Sequence, residues 1–141
     1  GIFAGECREP EYMAELRQRA NELGLSSHVA FLGRRNDIPD LLRLVDVLII
    51  PSVEGFPLAG LEAAAAETPV AACDVAGAKE FITVSGDGYT FISDNVDSAA
   101  GAVERIMSDM KEVRCNGSQF AEKSGMKEYQ KKVAELFQKC G

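Results

Sequence analysis

The sequence predicts an α/β protein with a doubly wound, mostly parallel sheet flanked by helices. Three observations predict it. Short apolar segments alternate with amphipathic segments of helical period along the chain, as in successive βαβ units. Val47-Leu48-Ile49-Ile50 is a continuous apolar run, the pattern of a strand buried on both faces. Gly24 and Gly86-Asp87-Gly88 punctuate the pattern where elements must end.

Ile2-Phe3-Ala4 reads as a short first strand. A helix follows over residues 10–23, with Tyr12, Met13, Leu16, Ala20 and Leu23 on one face and Gly24 as its stop. Residues 28–32 form the second strand. A helix over 37–45 turns Ile38, Leu41, Leu42 and Val45 inward, with Asn36 as its N-cap. After the strand 47–50, a helix runs over 57–67. Pro57 is suited to its start, Leu58 and Leu61 are assigned to its core face, and Ala63-Ala64-Ala65-Ala66 favours close packing on the sheet. Val70-Ala71-Ala72-Cys73 is the next strand, 78–82 a short helix, and Tyr89-Thr90-Phe91-Ile92 the last strand. Asp94 or Asn95 caps a helix to about residue 110, with Val96, Ala99, Ala100, Val103, Ile106 and Met110 inward. Two further helices are expected, near 113–123 and 127–139.

The chain of 141 residues reads as one domain, 1–141, with 113–141 as a helical tail. It opens on Gly1-Ile2-Phe3, within an expected strand, which predicts a partial domain. With 46% hydrophobic and 26% charged residues it reads as soluble and globular, and no apolar run approaches the ~20 residues of a membrane span. Net charge is −7, which argues against general nucleic-acid binding. The acidity is concentrated before residue 104; the tail is mildly basic and reads as a solvated helix surface. Cys7, Cys73, Cys115 and Cys140 have no metal-ligand spacing and the chain has one histidine. They read as reduced thiols, and the expected compartment is the cytoplasm. His28 reads as a strand-start residue.

The most informative segment is Pro51-Ser52-Val53-Glu54-Gly55-Phe56-Pro57-Leu58-Ala59-Gly60-Leu61-Glu62-Ala63. Glu54 follows a strand and Glu62 lies about a turn into a helix. A helix start offers unpaired N–H groups and partial positive charge, which suits a phosphate. The carboxylates suit sugar hydroxyls. Together they fit a nucleotide-sugar. In a doubly wound sheet ligands sit beyond the carboxyl ends of the strands, and Arg34, Glu54, Gly77 and Glu80 all follow predicted strands.

This segment resembles the donor-site motif of retaining glycosyltransferases of family 4, which have the GT-B fold. The likeness continues in Val29-Ala30-Phe31-Leu32-Gly33-Arg34-Arg35-Asn36-Asp37-Ile38, similar to the family's loop near the base, and in Thr68-Pro69-Val70 through Gly77-Ala78-Lys79-Glu80, similar to its next strand and Gly-containing turn. The resemblance implies the Rossmann-like, nucleotide-sugar-binding C-terminal half of a hexosyltransferase-type enzyme, which transfers a sugar to an acceptor with retention. It implies Glu54 as the catalytic-site residue contacting the transferred sugar and Glu62 on the ribose. It places Phe56, Leu58, Ala59 and Gly60 at sugar or phosphate. Gly33, Arg34 and Asn36 fall beside the base, and Gly77 and Glu80 near the ligand. No metal or other cofactor is expected.

Glu67 stands where the family often has Gly, a departure assigned to the helix end. The family's first strand and helix, with the Arg and Lys that hold the diphosphate, and its acceptor-binding N-terminal domain do not match any part of this chain. The resemblance therefore implies weak donor binding and no transfer by these residues alone. The expected partners are a UDP- or GDP-linked donor and the acceptor domain. Arg35-x-Asp37-Ile38-x-x-Leu41-Leu42 resembles members that build bacterial surface polysaccharides. The mildly basic tail has a second reading as a contact for an anionic membrane surface or a partner domain, and peripheral association with the inner membrane face is expected of the intact enzyme. A GT-B-like nucleotide-sugar epimerase and a non-catalytic doubly wound nucleotide- or protein-binding module are the alternatives. A receiver-type module fits poorly, because Asp46 precedes its strand.

Overall fold

The structure is a computed structural model that describes residues 1–52 and 57–124. Strands and helices alternate throughout: β1 (Ile2–Ala4), α1 (Pro10–Glu22), β2 (Ala30–Gly33), α2 (Ile38–Leu44), β3 (Leu48–Ile50), α3 (Leu58–Ala65), β4 (Val70–Cys73), α4 (Ala76–Ser85), β5 (Gly88–Phe91) and α5 (Val96–Ser124). The expected helix over 127–139 lies outside the described residues. The chain divides into two compact units, Gly1–Ile38 and Pro39–Gly141.

In the first unit β1 and β2 pair in parallel, with Ile2 opposite Ala30, Phe3 opposite Phe31 and Ala4 opposite Gly33. Phe3 and Phe31 stack with ring centroids 4.9 Å apart, and the Arg17 guanidinium lies 4.5 Å over the Phe31 ring. Helix α1 starts on Pro10, which has no N–H to leave unpaired. It stops at Gly24, whose φ of +68° is the left-handed conformation; Leu25 N–H then closes the end on Ala20 O at 2.7 Å. No residue of α1 is buried. Met13, Leu16 and Ala20 are half-buried as expected of one face, whereas Tyr12 and Leu23 are exposed.

The second unit is built on β4. All four of its residues are buried, because β3 and β5 pair with it on either side, both in parallel. Parallel neighbours need crossovers, and α3 and α4 supply them. Successive strand residues face opposite sides: Ala71 and Cys73 meet Phe91, Ala102, Ile106 and Val113 in one apolar cluster, while Val70 and Ala72, out of phase, are equally buried. Thr68, also buried, donates from Oγ1 to Leu42 O at 2.6 Å and ties the entry of β4 to α2.

Several expectations are corrected here. Ile49 is 51% exposed, so the run 47–50 is not covered on both faces; β3 ends the three-stranded order. Leu58 is 69% exposed, and the core face of α3 is formed by Gly60, Ala63 and Ala64. Asp37, rather than Asn36, directly precedes α2. Helix α4 is longer than expected at both ends. Asn95, not Asp94, caps α5: its Oδ1 accepts from Ser98 N–H at 2.8 Å. Val96 and Ala100 are exposed. The expected break after residue 110 is a kink within α5 at Asp109, with φ −104° and ψ 17°.

Candidate functional site

The carboxyl ends of the adjacent strands β3 and β4 lead into α3 and α4, so two helix starts rise from one edge of this sheet. Glu54 and Phe56, with Val53 and Gly55, lie outside the described residues. The helix they lead to is described. Pro57 is its N-cap, fully buried, in an extended conformation. Its carbonyl accepts from Gly60 N–H at 2.9 Å and from Leu61 N–H at 3.2 Å. Gly60 N–H is thereby taken up inside the turn. Leu58 and Ala59 occupy the first two helical positions, whose N–H groups have no intrahelical carbonyl to reach.

Gly60 is also a packing residue. A Cβ there would stand 3.0 Å from Cε1 of Phe81, a ring on α4 that is 1% exposed. The first turn of α3 is thus seated against the middle of α4. Glu62, one turn in, is exposed. Phe81 was not singled out in the sequence; an aromatic in an apolar helix face is ordinary core, and its contact with a glycine 21 positions earlier leaves no local signal.

Gly77, expected in a turn, is buried in the first turn of α4, and Glu80 is exposed on the same helix. Lys79 lies between them, ion-paired to Asp74 at 3.0 Å. Arg43 pairs with Asp40 at 3.1 Å. These two are the only cations between residues 39 and 95, so the part of the second unit that carries the helix starts has no unpaired side-chain cation among its described residues. Such exposed pairs contribute at most ~1 kcal/mol to stability each.

Gly33, Arg34 and Asn36 belong to the first unit. Gly33 ends β2 and its carbonyl accepts from Gly5 N–H at 2.8 Å. Arg34 and Asn36 are exposed. Arg35 forks onto Asp37 through two bonds, and this hydrogen bonding holds the Asp37 carboxyl below the ordinary carboxylate range. The structure therefore brings Leu58, Ala59, Gly60, Glu62, Gly77 and Glu80 onto neighbouring helices of one unit, and Gly33, Arg34 and Asn36 onto one loop of the other.

Among the described residues no cluster of His, Cys, Asp or Glu is arranged to hold a metal ion, and no helix is long and apolar enough to cross a membrane. Cys7 is exposed and Cys73 buried, both as free thiols.

The family model described as glycosyl transferases group 1 matches residues 2–124. The lipopolysaccharide core biosynthesis mannosyltransferase LpsB of Rhizobium meliloti is 33% identical over 113 residues, covering 77% of this chain and 32% of that protein. The chain thus spans about a third of this curated relative. The crystal structure of Anabaena HepE in complex with UDP superposes with a TM-score of 0.84 at 25% identity, covering 98% of this chain and 40% of that one. The C-terminal domain of a group 1 family protein, LpcC from Francisella tularensis, shares the fold with a TM-score of 0.72 at 23% identity, covering 88% of this chain and 84% of that one.

Proposed function

The chain belongs to the glycosyl transferases group 1 family, and from that premise we propose that it is the donor-binding, C-terminal half of a two-domain enzyme that transfers a hexosyl group from a nucleotide-sugar to an acceptor with retention of anomeric configuration. The construction of α3 carries this reading. Its open first turn, at Leu58 and Ala59, rises from the carboxyl end of β3, and Glu62 stands exposed one turn further on. Helix-start amides suit a diphosphate, and a carboxylate one turn on suits ribose hydroxyls. That HepE also crystallises with UDP-glucose, over a fold matching 98% of this chain, supports the same ligand class.

In this reading Glu54 and Phe56 meet the transferred sugar. Leu58, Ala59 and Gly60 line the sugar or phosphate, with Leu58 and Ala59 giving amides. Gly33, Arg34 and Asn36 border the base, and Gly77 and Glu80 line the neighbouring helix start. The leaving diphosphate gains charge as the sugar gains oxocarbenium character, so stabilising that charge is the main electrostatic task. With Lys79 and Arg43 already paired, we assign part of that task to basic groups elsewhere in the enzyme and none of it to a metal. The acceptor domain is the second partner. LpsB's role in lipopolysaccharide core biosynthesis supports surface-polysaccharide assembly at the cytoplasmic face of the membrane as the setting.

Titration calorimetry of the chain with UDP, UDP-glucose, GDP-mannose and inorganic phosphate tests the proposal. A nucleotide or nucleotide-sugar is expected to bind more tightly than phosphate, and the binding to weaken in Glu62→Ala. Equal, weak heats from all four ligands would overturn it.

A further inference from the structure

Asp87 lies in the turn between α4 and β5, at the amino end of β5 and so away from the strand ends that lead into α3 and α4. It is wholly buried, and among the described residues neither carboxylate oxygen has a hydrogen-bond partner. Its backbone is well tied: its N–H donates to Ser85 Oγ at 3.2 Å and its carbonyl accepts from Val70 N–H at 2.8 Å. The side chain is pressed against α5. A Cβ on Gly117 would stand 2.1 Å from Oδ1 and 2.4 Å from Cγ of Asp87, so glycine at 117 is what lets the helix lie over the carboxyl. Beside it, Asn116 Nδ2 donates to Gly86 O at 3.3 Å. The part of α5 that makes these contacts is set off from the rest by the kink at Asp109.

A charged carboxylate without donors is disfavoured in such a seat, whereas the protonated form is neutral. Burial alone pushes the Asp87 carboxyl up to about 8. Among the described residues no charged group on the surrounding elements bonds to it: Lys79 pairs with Asp74, and Glu62, Glu67, Glu80, Lys111, Glu112 and Lys123 are exposed. Arg114 Nε donates to Met110 Sδ, and Tyr89 donates to Asp109. Strand β4 carries no ionisable residue but the Cys73 thiol.

We propose that the stretch of α5 beyond the kink, residues 110–124, is a pH-sensitive latch that lies closed over the α4–β5 turn while Asp87 is protonated and opens as that proton passes to bulk water. The latch reaches α3 by direct packing. Phe120, one turn beyond Gly117, meets Phe81 edge-on with centroids 5.6 Å apart, and Phe81 closes on Gly60. Opening therefore loosens the helix that carries Glu62. A consequence for ligand binding rests on the donor-site reading above; the latch itself does not.

Amide hydrogen exchange on the full chain from pH 5 to 9, corrected for the intrinsic pH dependence of exchange, tests the latch. With the open form titrating like an ordinary Asp, opening of 110–124 is expected to rise about tenfold per pH unit up to about pH 8 and then level, and to be flat in Asp87→Asn. Infrared spectra of the unmodified chain give a second readout that needs no variant: a protonated carboxyl band that persists at pH 7 and is lost near pH 8. Parallel pH profiles in the wild type and Asp87→Asn, or no such band at pH 7, would overturn the latch. UDP affinity that stays constant while the latch opens would overturn only its link to α3, and a failure to bind UDP at any pH would count against the donor-site reading instead.

Discussion

Gly60 and Phe81 touch so closely that any added side chain must push the ring aside: a Cβ on Gly60 would lie 3.0 Å from Cε1 and 3.2 Å from Cζ of the ring. The ring has little room to retreat, being 1% exposed and held edge-on against Phe120. Gly60→Ala gains about 1 kcal/mol of helix propensity and incurs about 1–3 kcal/mol of overpacking. We expect a net loss of about 1 kcal/mol in urea denaturation, and a larger one for Gly60→Val. An alanine variant more stable than the wild type would show that α3 and α4 are not locked through this contact.

That contact also marks the limit of what is legible in the sequence. The alternation of elements, the strand Val70-Ala71-Ala72-Cys73 and the helix stop at Gly24 follow from local pattern, and the structure has them where the pattern places them. The resemblance places Gly60 at sugar or phosphate, and its packing partner Phe81 lies 21 residues further on, where local pattern gives no sign of it. Apolarity assigns Leu58 to the core, yet Gly60, Ala63 and Ala64 take that face; the smallest side chains allow the closest approach. The resemblance places Gly77 in a turn, but it occupies the first turn of α4. Local pattern makes Asp87 a turn residue; its burial depends on the absence of a side chain at Gly117, 30 residues away. Of the site, Glu62 is on its helix as expected, while Glu54 and Phe56 lie outside the described residues.

Gly88 is predicted to be the least replaceable glycine of the second unit. Its φ is +152°, and a Cβ there would overlap Val70 O at 1.8 Å. Any side chain must push β5 away from β4, the strand at the centre of the unit. Gly88→Ala is expected to cost more than about 3 kcal/mol, beyond the ordinary range of single substitutions. Circular dichroism and soluble yield would read the loss; a variant melting within a few degrees of the wild type would contradict the register of Val70 opposite Gly88.

Glu67 carries strain in the opposite sense. It follows the C-cap of α3 with φ +60°, the left-handed conformation that glycine adopts at helix ends and other residues adopt at a cost of about 1–2 kcal/mol. This agrees with the expectation that the departure from glycine here concerns the helix end. Glu67→Gly relieves the strain and enlarges the entropy of the unfolded chain, and so is expected to raise stability by up to about 1 kcal/mol without changing ligand affinity. A lower melting temperature in Glu67→Gly would mean that interactions of the glutamate outweigh its backbone cost.

Glu62 separates function from stability. It is exposed on α3 and forms no part of that helix's buried face, so Glu62→Ala should leave the melting temperature within about a degree or slightly above, alanine being the better helix former. If its carboxylate accepts hydrogen bonds from a ribose, each charge-assisted bond contributes about 1.5–3 kcal/mol, and the variant loses roughly one to two decades of affinity for UDP and UDP-sugars alike. Glu62→Gln keeps the acceptor oxygen without the charge and should fall between the two. Calorimetry with UDP and with UDP-glucose makes the comparison. A loss for UDP-glucose but not for UDP would move Glu62 from the ribose to the transferred sugar, and no loss for either would remove it from the donor site altogether.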